Sequence, residues 1–188
     1  MKIPTVETCE QLMDDYRMLD NIKAHSKVVA RVAELITSAL MLRSGEALNL
    51  DLVISASLLH DIAKTQCLDS RCDHAKMGGE ICREHGFADI ADIVEEHVVI
   101  KSNGSGRITE KEIVYYADKR VNHDKVVSLH DRLDYILARY ARNNAVRHDL
   151  IQQNFDKCLK MEKRIFDNLD FSPEQLASLI MSKRDWRV

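Results

Sequence analysis

Six histidine and aspartate side chains give this chain of 188 residues its clearest capacity for chemistry. Two of them, His60 and Asp61, are adjacent in the apolar run LLHDIAK, and four lie on either side of it: His25, His74, His97 and Asp118. Imidazole nitrogens with carboxylate oxygens suit iron, manganese, cobalt, nickel or zinc, whereas an all-oxygen cage suits magnesium or calcium. We therefore predict one or two divalent transition-metal ions, with iron or manganese favoured over cobalt, nickel and zinc.

Six ligands are enough for two metal ions if Asp61 bridges them. Two ions separated by about 3.5 to 4 Å leave positions open for water and a phosphoryl oxygen, and they favour in-line displacement at phosphorus. A single histidine on an apolar helix face is more often a hydrogen-bonded core residue than a ligand. Burying six such groups without a cation would be costly, however, so metal binding is the favoured interpretation.

The elements that position these residues are predicted to be helices, which makes the fold class all-α. The chain has only six glycines and two prolines, several segments have helical periodicity, and no segment is a convincing strand. Capping signals and periodicity predict five helix starts: after Thr8 in the box Thr8-x-x-Gln11, near Asn21, about Asn49, after Asp73, and after Thr109 in the box Thr109-x-x-Glu112.

Helical periodicity directs the candidate ligands toward the core. His25 precedes a stripe that begins at Val28 by three residues, so it points inward with that stripe. The next stripes also contain candidate ligands: His74 with Gly78 and Ile81, His97 with Ile93 and Val94, and Asp118 with Val114 and Val121. His85 shares the stripe of His74 but lies about 16 Å further along the axis. We therefore predict His74 as the ligand and His85 as a packing or solvent-facing residue.

We predict one domain over residues 1–188, with a metal-binding core over about 20–125 and a C-terminal helical extension over about 128–188. The extension has the periodicity of long amphipathic helices, and Ser172-Pro173-Glu174-Gln175 begins the last of them. No repeat or linker divides the sequence. A homodimer that forms through the outer faces of these helices stays an open alternative.

Composition excludes several classes of partner. Apolar residues make up 45% and charged residues 30% of the chain, and the net charge is -3. These values are ordinary for a soluble globular protein and give no sequence-wide attraction to nucleic acid or acidic lipid. No segment is long and apolar enough for a membrane span, so we predict a cytoplasmic protein without nucleic-acid or membrane partners. The odd number of cysteines, five, predicts reduced thiols, with Cys9, Cys82 and Cys158 packed inside.

The order of these residues is similar to the H...HD...H...H...D signature of the HD-domain metal-dependent phosphohydrolase superfamily, closest to its HDIG-type branch. The motifs LLHDIAK, HAKMGGEI and VYYADKR carry the resemblance over about residues 20 to 125. It implies an HD-domain-like helical bundle that hydrolyses phosphomonoesters, phosphodiesters or nucleotide phosphoanhydrides. It also implies a core metal site formed by His25, His60, Asp61 and Asp118, and a second ion whose coordination is completed by His74 and His97. A water that bridges the two ions would be the nucleophile.

The sequence departs from several branches of that family. Ala63 replaces the glycine of HDIG, no Gly-Tyr-Pro motif follows His97, and Glu96 stands where some relatives have another histidine. Cyclic dinucleotide hydrolysis is therefore disfavoured. Guanosine tetraphosphate hydrolysis is disfavoured because the acidic pair Glu95-Glu96 differs from the Glu-Asp pair of those enzymes. The run ADKRVNHD also differs from the motif of symmetrical diadenosine tetraphosphate hydrolases, so the substrate stays open.

Two cations are candidates for contact with a phosphoryl group, and with Asp61 they make up the predicted catalytic residues. Lys64 lies one turn beyond Asp61, and Lys119-Arg120 follow Asp118, from which we choose Arg120. A zinc site formed by Cys67, Cys72 and His74 is a weak alternative, because no fourth ligand is evident. The loop from Ser102 to Arg107 is interpreted as a connector, with a substrate lid as the alternative.

These features predict a metal-dependent phosphohydrolase that cleaves an ester or anhydride of a small phosphorylated molecule, a nucleotide first, by metal-activated hydroxide. The alternative is a catalytically weak or silent nucleotide-binding sensor whose C-terminal helices dimerise. A third interpretation, a structural helical domain with coincidental histidines, predicts a protein that binds no metal.

Overall fold

The computed structural model describes residues 2–45, 47–70, 72–101, 106–183 and 186–188. Helices dominate these ranges, which confirms the predicted all-α fold class. The α-helices are α1 (Val6–Asp15), α2 (Asp20–Ser44), α3 (Leu50–Leu59), α4 (His74–Glu84), α5 (Ala88–Val94), α6 (Glu110–Lys119), α7 (Leu129–Tyr140), α8 (Ala145–Phe166) and α9 (Leu176–Ser182). Short 3₁₀ turns cover Thr65–Cys67 and Pro173–Gln175.

Side-chain caps begin most of these helices, largely as the sequence predicts. Asp73 caps α4, and Thr109 with Glu112 forms the predicted capping box of α6. The predicted start after Thr8 is wrong, because α1 begins at Val6 and the hydroxyl of Thr5 accepts from the backbone N–H of Thr8 at 3.2 Å. Thr5 has the extended backbone that an N-cap needs, so it starts the helix one turn earlier.

Helix α3 is the hydrophobic centre of the fold. All its residues from Leu52 to Leu59 are buried, and α3 packs against α2, α1, α5 and α6. The helix therefore needs no polar face and shows almost no amphipathic pattern. Its C-terminal end delivers His60 and Asp61 into the interior, where both residues are at most 1% exposed.

Helices α4 and α5 pack closely because α4 has a glycine at their contact. A Cβ atom built on Gly78 would lie 2.9 Å from Cγ1 of Val94. A side chain at this position would therefore force the two helices apart. Their close approach matters for the site, because His74 begins α4 and His97 follows the end of α5.

A small hairpin follows α6, where the sequence predicts no strand. Strand β1 (Val121–Asn122) pairs with strand β2 (Lys125–Val126) in antiparallel register, with Val121 opposite Val126. His123 in the turn has a φ of 55°. Two residues per strand are too few to give an alternating pattern, which is why the sequence does not reveal the hairpin.

The C-terminal helices pack onto this core. Helix α8 contacts α6 and α7, and α9 contacts α2. Helix α7 contributes only one fully buried residue, Leu129, so most of its surface faces outward. Within the described ranges, no helix has the length and apolar character needed to cross a membrane.

The cysteines differ from prediction in one respect. Cys67 and Cys72 form a disulfide, with their Cα atoms 5.4 Å apart, so the prediction of five reduced thiols is wrong for this pair. The turn Thr65–Cys67 folds the chain back on itself and brings Cys67 close to Cys72. The odd number of cysteines does not reveal this proximity. The bonded sulfurs also contradict the zinc alternative. The other three thiols are free and buried as predicted, namely Cys9, Cys82 and Cys158.

Candidate metal centre

The fold gathers the six predicted ligands into two adjacent sets. In the first set, Asp118 Oδ1 lies 3.1 Å from His25 Nε2 and 3.7 Å from His60 Nε2. In the second set, Asp61 Oδ1 lies 3.4 Å from Nε2 of both His74 and His97. Within each set, the three potential ligand atoms lie within 4.8 Å of one another. This spacing matches what three ligands of a common cation require.

Asp61 connects the two sets. Its Oδ1 atom faces the histidines of the second set, while Oδ2 lies 3.3 Å from His60 Nε2 in the first. Five helices supply the six residues: α2, the end of α3, the start of α4, the end of α5, and α6. The site is therefore a product of tertiary packing, and residues up to 93 positions apart meet in it.

Backbone carbonyls orient three of the histidine rings. Nδ1 of His25 donates to the carbonyl of His123 at 2.8 Å. In the same way, Nδ1 of His60 donates to the carbonyl of Ser57 at 2.7 Å, and Nδ1 of His97 donates to the carbonyl of Val94 at 2.6 Å. A carbonyl can only accept, so each Nδ1 carries a proton. In the neutral ring, this leaves the Nε2 lone pair directed at the carboxylates, the arrangement typical of metal-binding histidines.

Two buried atoms at the centre of the site lack a hydrogen-bond partner among the described residues. They are Nε2 of His60 and Oδ1 of Asp61. Leaving a buried polar atom unsatisfied costs free energy, and most such atoms in folded proteins have a partner. Both atoms have a lone pair available for a cation. The donor set and these two atoms therefore fit a bound divalent metal.

The electrostatics favour the protonation states that metal binding needs at Asp61 and His97, but not at His60. Burial opposes ionisation of Asp61, but His60 and Lys64 hold the pKa of its carboxyl well below the usual value. Burial lowers the pKa of His97 to about 4, so this ring is neutral at pH 7. The pKa of His60 is instead raised despite its burial, because the charge of Asp61 outweighs desolvation, so a metal that binds this ring competes with a proton. Ionised carboxylates and neutral imidazoles are the forms that bind metals.

Lys64 lies beside the site as predicted. Its Nζ atom donates to Asp61 Oδ2 at 2.7 Å, and its side chain is 34% exposed. His74, with a side chain 26% exposed, is the most accessible of the six candidate ligands. Lys64 and His74 therefore mark the mouth of the site, the side from which solvent and solutes reach it.

Arg120 does not lie where it is predicted. Its guanidinium is buried and donates to Glu162, to the hydroxyl of Tyr116, and to the carbonyls of Val127 and Pro173. These contacts direct it toward α8 and the C-terminal segment. Residues two positions apart in a helix point about 160° apart, so Arg120 and Asp118 face different neighbours. The prediction that Arg120 contacts a phosphoryl group is corrected to a structural role.

Of the two cations that follow Asp118, Lys119 rather than the predicted Arg120 contacts the ligands. Its Nζ atom donates to Asp118 Oδ2 at 2.6 Å and to the carbonyl of His97 at 2.8 Å. It also lies 4.6 Å from the ring centroid of Tyr115. Lys119 is buried, so its ammonium has exchanged water for these three partners. It thereby holds one ligand from each set.

Replacing Lys119 with methionine is expected to weaken Mn²⁺ binding by roughly 10- to 100-fold, the usual effect of losing a residue that orients a metal ligand. The substitution frees Asp118 to rotate and removes the main charge that lowers the pKa of its carboxyl. Isothermal titration with Mn²⁺ measures the change. Lys125→Met, on the exposed side of the hairpin, is the matched control. Equal affinity in both variants would contradict the orienting role.

His85 is separated from the ligands as predicted. Its Nε2 atom lies 3.1 Å from the hydroxyl of Tyr16, and its ring stacks on that of Phe87. The predicted loop from Ser102 to Arg107 lies largely outside the described residues, which resume at Gly106.

The comparison with protein-family models agrees with the residue pattern. The family model of the HD domain matches residues 22–136, more than half of the chain. The chain therefore belongs to the HD-domain family. All six candidate ligands lie within the matched residues.

A solved structure provides a second comparison. It is the crystal structure of a predicted HD superfamily hydrolase from an uncultured Thermotogales bacterium, which is 18% identical to this chain. The alignment covers 88% of this chain and 94% of that one, with a TM-score of 0.48. No curated protein matches the chain in sequence.

Proposed function

We propose that this protein is a metal-dependent phosphohydrolase that cleaves an ester or anhydride of a small phosphorylated molecule, with a nucleotide as the favoured substrate. The observation that carries the proposal is the pair of ligand sets joined by Asp61. HD-family membership supports the same reaction class. We further propose that iron or manganese occupies the site, that one domain carries the activity, and that the protein acts in the cytoplasm.

The six ligands provide two sets of three side chains that suit a cation each. A divalent metal held there would act as a Lewis acid toward a phosphoryl oxygen and would lower the pKa of a coordinated water. Asp61 and Asp118 contribute two negative charges, which their low pKa values maintain down to acidic pH. Hydrogen bonds from Nδ1 hold the rings of His25, His60 and His97 in place, which fixes the direction in which each Nε2 atom would face the metal.

Lys64 is the residue proposed to contact the phosphoryl group. Its ammonium is anchored on Asp61 yet remains one-third exposed, so it has donors left for an oxygen that arrives from solvent. Burial opposes its charge, but Asp61 and Asp118 outweigh burial and raise its pKa. Lys64 is therefore charged at neutral pH, which favours binding of a phosphate anion.

The test is a substrate panel with metal-reconstituted protein. We expect release of inorganic phosphate or a nucleotide product from at least one nucleoside mono-, di- or triphosphate, and loss of this activity on chelation. Asp118→Asn is expected to be inactive, while Asp149→Asn, at an exposed position on α8, is the matched control. Turnover that survives chelation would contradict the proposal. A nucleotide that binds the metal-loaded protein but is never hydrolysed would favour the sensor alternative.

A further inference from the structure

The disulfide between Cys67 and Cys72 lies in the stretch of chain that separates two ligands of the second set. Asp61 comes six residues before Cys67, and His74 comes two residues after Cys72. The bond joins positions only five apart, so it closes one short loop and does not connect distant parts of the fold. Its place along the chain therefore associates it with one ligand set.

The Cys67 end of this loop is firmly held. Cys67 ends the 3₁₀ turn, and its backbone N–H donates to the carbonyl of Ala63 at 3.2 Å. The hydroxyl of Thr65 accepts from the N–H of Leu19 at 3.1 Å, which joins the turn to the start of α2. The sulfur of Cys67 also lies 3.8 Å from the sulfur of Met77 on α4.

The Cys72 end of the loop has fewer contacts. Cys72 is exposed, and among the described residues its backbone N–H donates only to the nearby hydroxyl of Ser70, at 3.3 Å. Asp73 caps α4, but it does so through N–H groups of that same helix. The disulfide is therefore the covalent link that fixes the residues before His74 to the anchored turn.

His74 depends on its backbone position more than the other three histidine ligands do. The rings of His25, His60 and His97 each donate from Nδ1 to a backbone carbonyl. Within the described ranges His74 forms no such bond, and its Nε2 atom lies 3.2 Å from Nε2 of His97. A displacement of the start of α4 would therefore move His74 away from Asp61 with no Nδ1 hydrogen bond to oppose it.

We propose that the pair Cys67 and Cys72 is a thiol-exchange site that controls the second metal site through His74. In the disulfide form the start of α4 is fixed, and Nε2 of His74 lies 3.4 Å from Oδ1 of Asp61. In the dithiol form the covalent link is absent, and the second ion binds more weakly. The first ligand set keeps its affinity, because backbone carbonyls orient both of its histidines. The inference rests on the proposed function, since the site it regulates is the one to which we assign hydrolysis.

The exchange needs a reductant, and a dithiol is the class that fits. One thiolate of the dithiol attacks the sulfur of Cys72, the S–S bond breaks, and Cys67 leaves as a thiolate that takes up a proton. The second thiol then attacks the mixed disulfide and releases Cys72, which also takes up a proton. The dithiol thus loses two electrons and two protons and becomes a disulfide. Exposed disulfides are the labile ones, and those of cytoplasmic proteins are mostly transient or redox-sensing.

The experiment compares Mn²⁺ binding by the full chain in its two redox forms. Oxidised glutathione gives the disulfide form, dithiothreitol gives the dithiol form, and gel filtration under nitrogen removes both reagents. A thiol count in denaturant distinguishes the forms, with three free thiols in the first and five in the second. Titration calorimetry gives the dissociation constant of each ion. We expect reduction to weaken the second ion about tenfold, the usual effect of losing a group that orients a ligand, and to change the first by less than about twofold.

Two variants assign this difference to the disulfide and to His74. The double variant Cys67→Ser/Cys72→Ser is expected to bind Mn²⁺ as the dithiol form does and to be unaffected by dithiothreitol. His74→Ala is expected to weaken the second ion already in the disulfide form, and reduction is expected to weaken it no further. Circular dichroism checks that both variants fold, and the comparison of the two forms of the unaltered chain needs no substitution.

The other outcomes overturn the inference in distinguishable ways. If the second ion binds both forms equally, or if reduction weakens both ions alike, the disulfide does not control the second site and the phosphohydrolase proposal stands. The same holds if reduction still weakens the second ion in His74→Ala, or if the chain keeps five free thiols after oxidised glutathione. If the disulfide form binds no Mn²⁺, the inference and the proposed function are both overturned.

Discussion

Replacing Asp61 with asparagine is expected to lower the rate of hydrolysis by about a thousandfold or more. The substitution removes a buried charge from the one residue that contacts both ligand sets and Lys64. A metal ion supplies several kcal/mol of transition-state stabilisation, and a loss of roughly 4 kcal/mol corresponds to about three orders of magnitude in rate. The measurement is kcat/KM on the best substrate of the panel, together with the metal content of the variant.

The matched control is Asp69→Asn, at an exposed position in the segment that follows the 3₁₀ turn. It removes the same charge from the same region and is expected to leave kcat/KM within about twofold, because an exposed carboxylate without a buried partner contributes little. An Asp61→Asn variant that retains full activity and full metal content would show that the reaction does not take place at this site.

Replacing Arg120 with methionine is expected to lower the free energy of unfolding by about 3 kcal/mol, with little direct effect on metal binding. Arg120 is buried and joins α6 to α8 and to the segment before α9 through Glu162 and Pro173. Removing one partner of a buried ion pair costs about 3 to 5 kcal/mol because the other charge is left without compensation. The lower figure applies because the side chain of Glu162 is 21% exposed.

Urea denaturation measures this loss, with Arg142→Met as the control at an exposed position after α7. The control is expected to change the free energy of unfolding by less than about 0.5 kcal/mol. A similarly small loss in Arg120→Met would show that the C-terminal helices do not depend on this arginine. A large loss of Mn²⁺ affinity in a folded Arg120→Met variant would contradict the structural role. It would indicate instead that Arg120 acts at the metal centre.

The six candidate ligands illustrate what a sequence can predict about such a site. Periodicity places His25, His74 and Asp118 on inward faces, because a helix repeats every 3.6 residues and this repeat is visible in the sequence. The position of His60-Asp61 is visible for a different reason, namely the continuous apolar run that precedes the pair. What periodicity does not give is the division into two sets, which depends on how five helices pack and on which oxygen of Asp61 faces which histidine.

The choice between Lys119 and Arg120 shows where sequence reasoning fails. Both follow Asp118, and their charges are equal, so only the packing of α6 against α8 decides which one contacts the ligands. Arg120 faces α8, where Glu162 satisfies it, whereas Lys119 lies under the ring of Tyr115 with its ammonium on Asp118. The buried lysine needs these partners, since an uncompensated ammonium would not be stable there.

Two further differences have local causes. The hairpin β1–β2 is too short to produce alternation, yet the carbonyl of His123 in its turn orients His25. The disulfide between Cys67 and Cys72 depends on a reversal of the chain after Asp61, which neither the cysteine count nor the spacing specifies. Such features arise from turns, where the backbone conformation of a single residue determines which groups come into contact.

The most direct test of the account is the metal content of the chain, purified without a metal-affinity step and reconstituted with Mn²⁺, beside His97→Ala and the exposed control His130→Ala. The account predicts close to two ions per chain in the unaltered protein and the control, and about one in His97→Ala, because His97 belongs to only one ligand set. The absence of bound metal after reconstitution, or a single ion that is unaffected by His97→Ala, would contradict the paired metal centre.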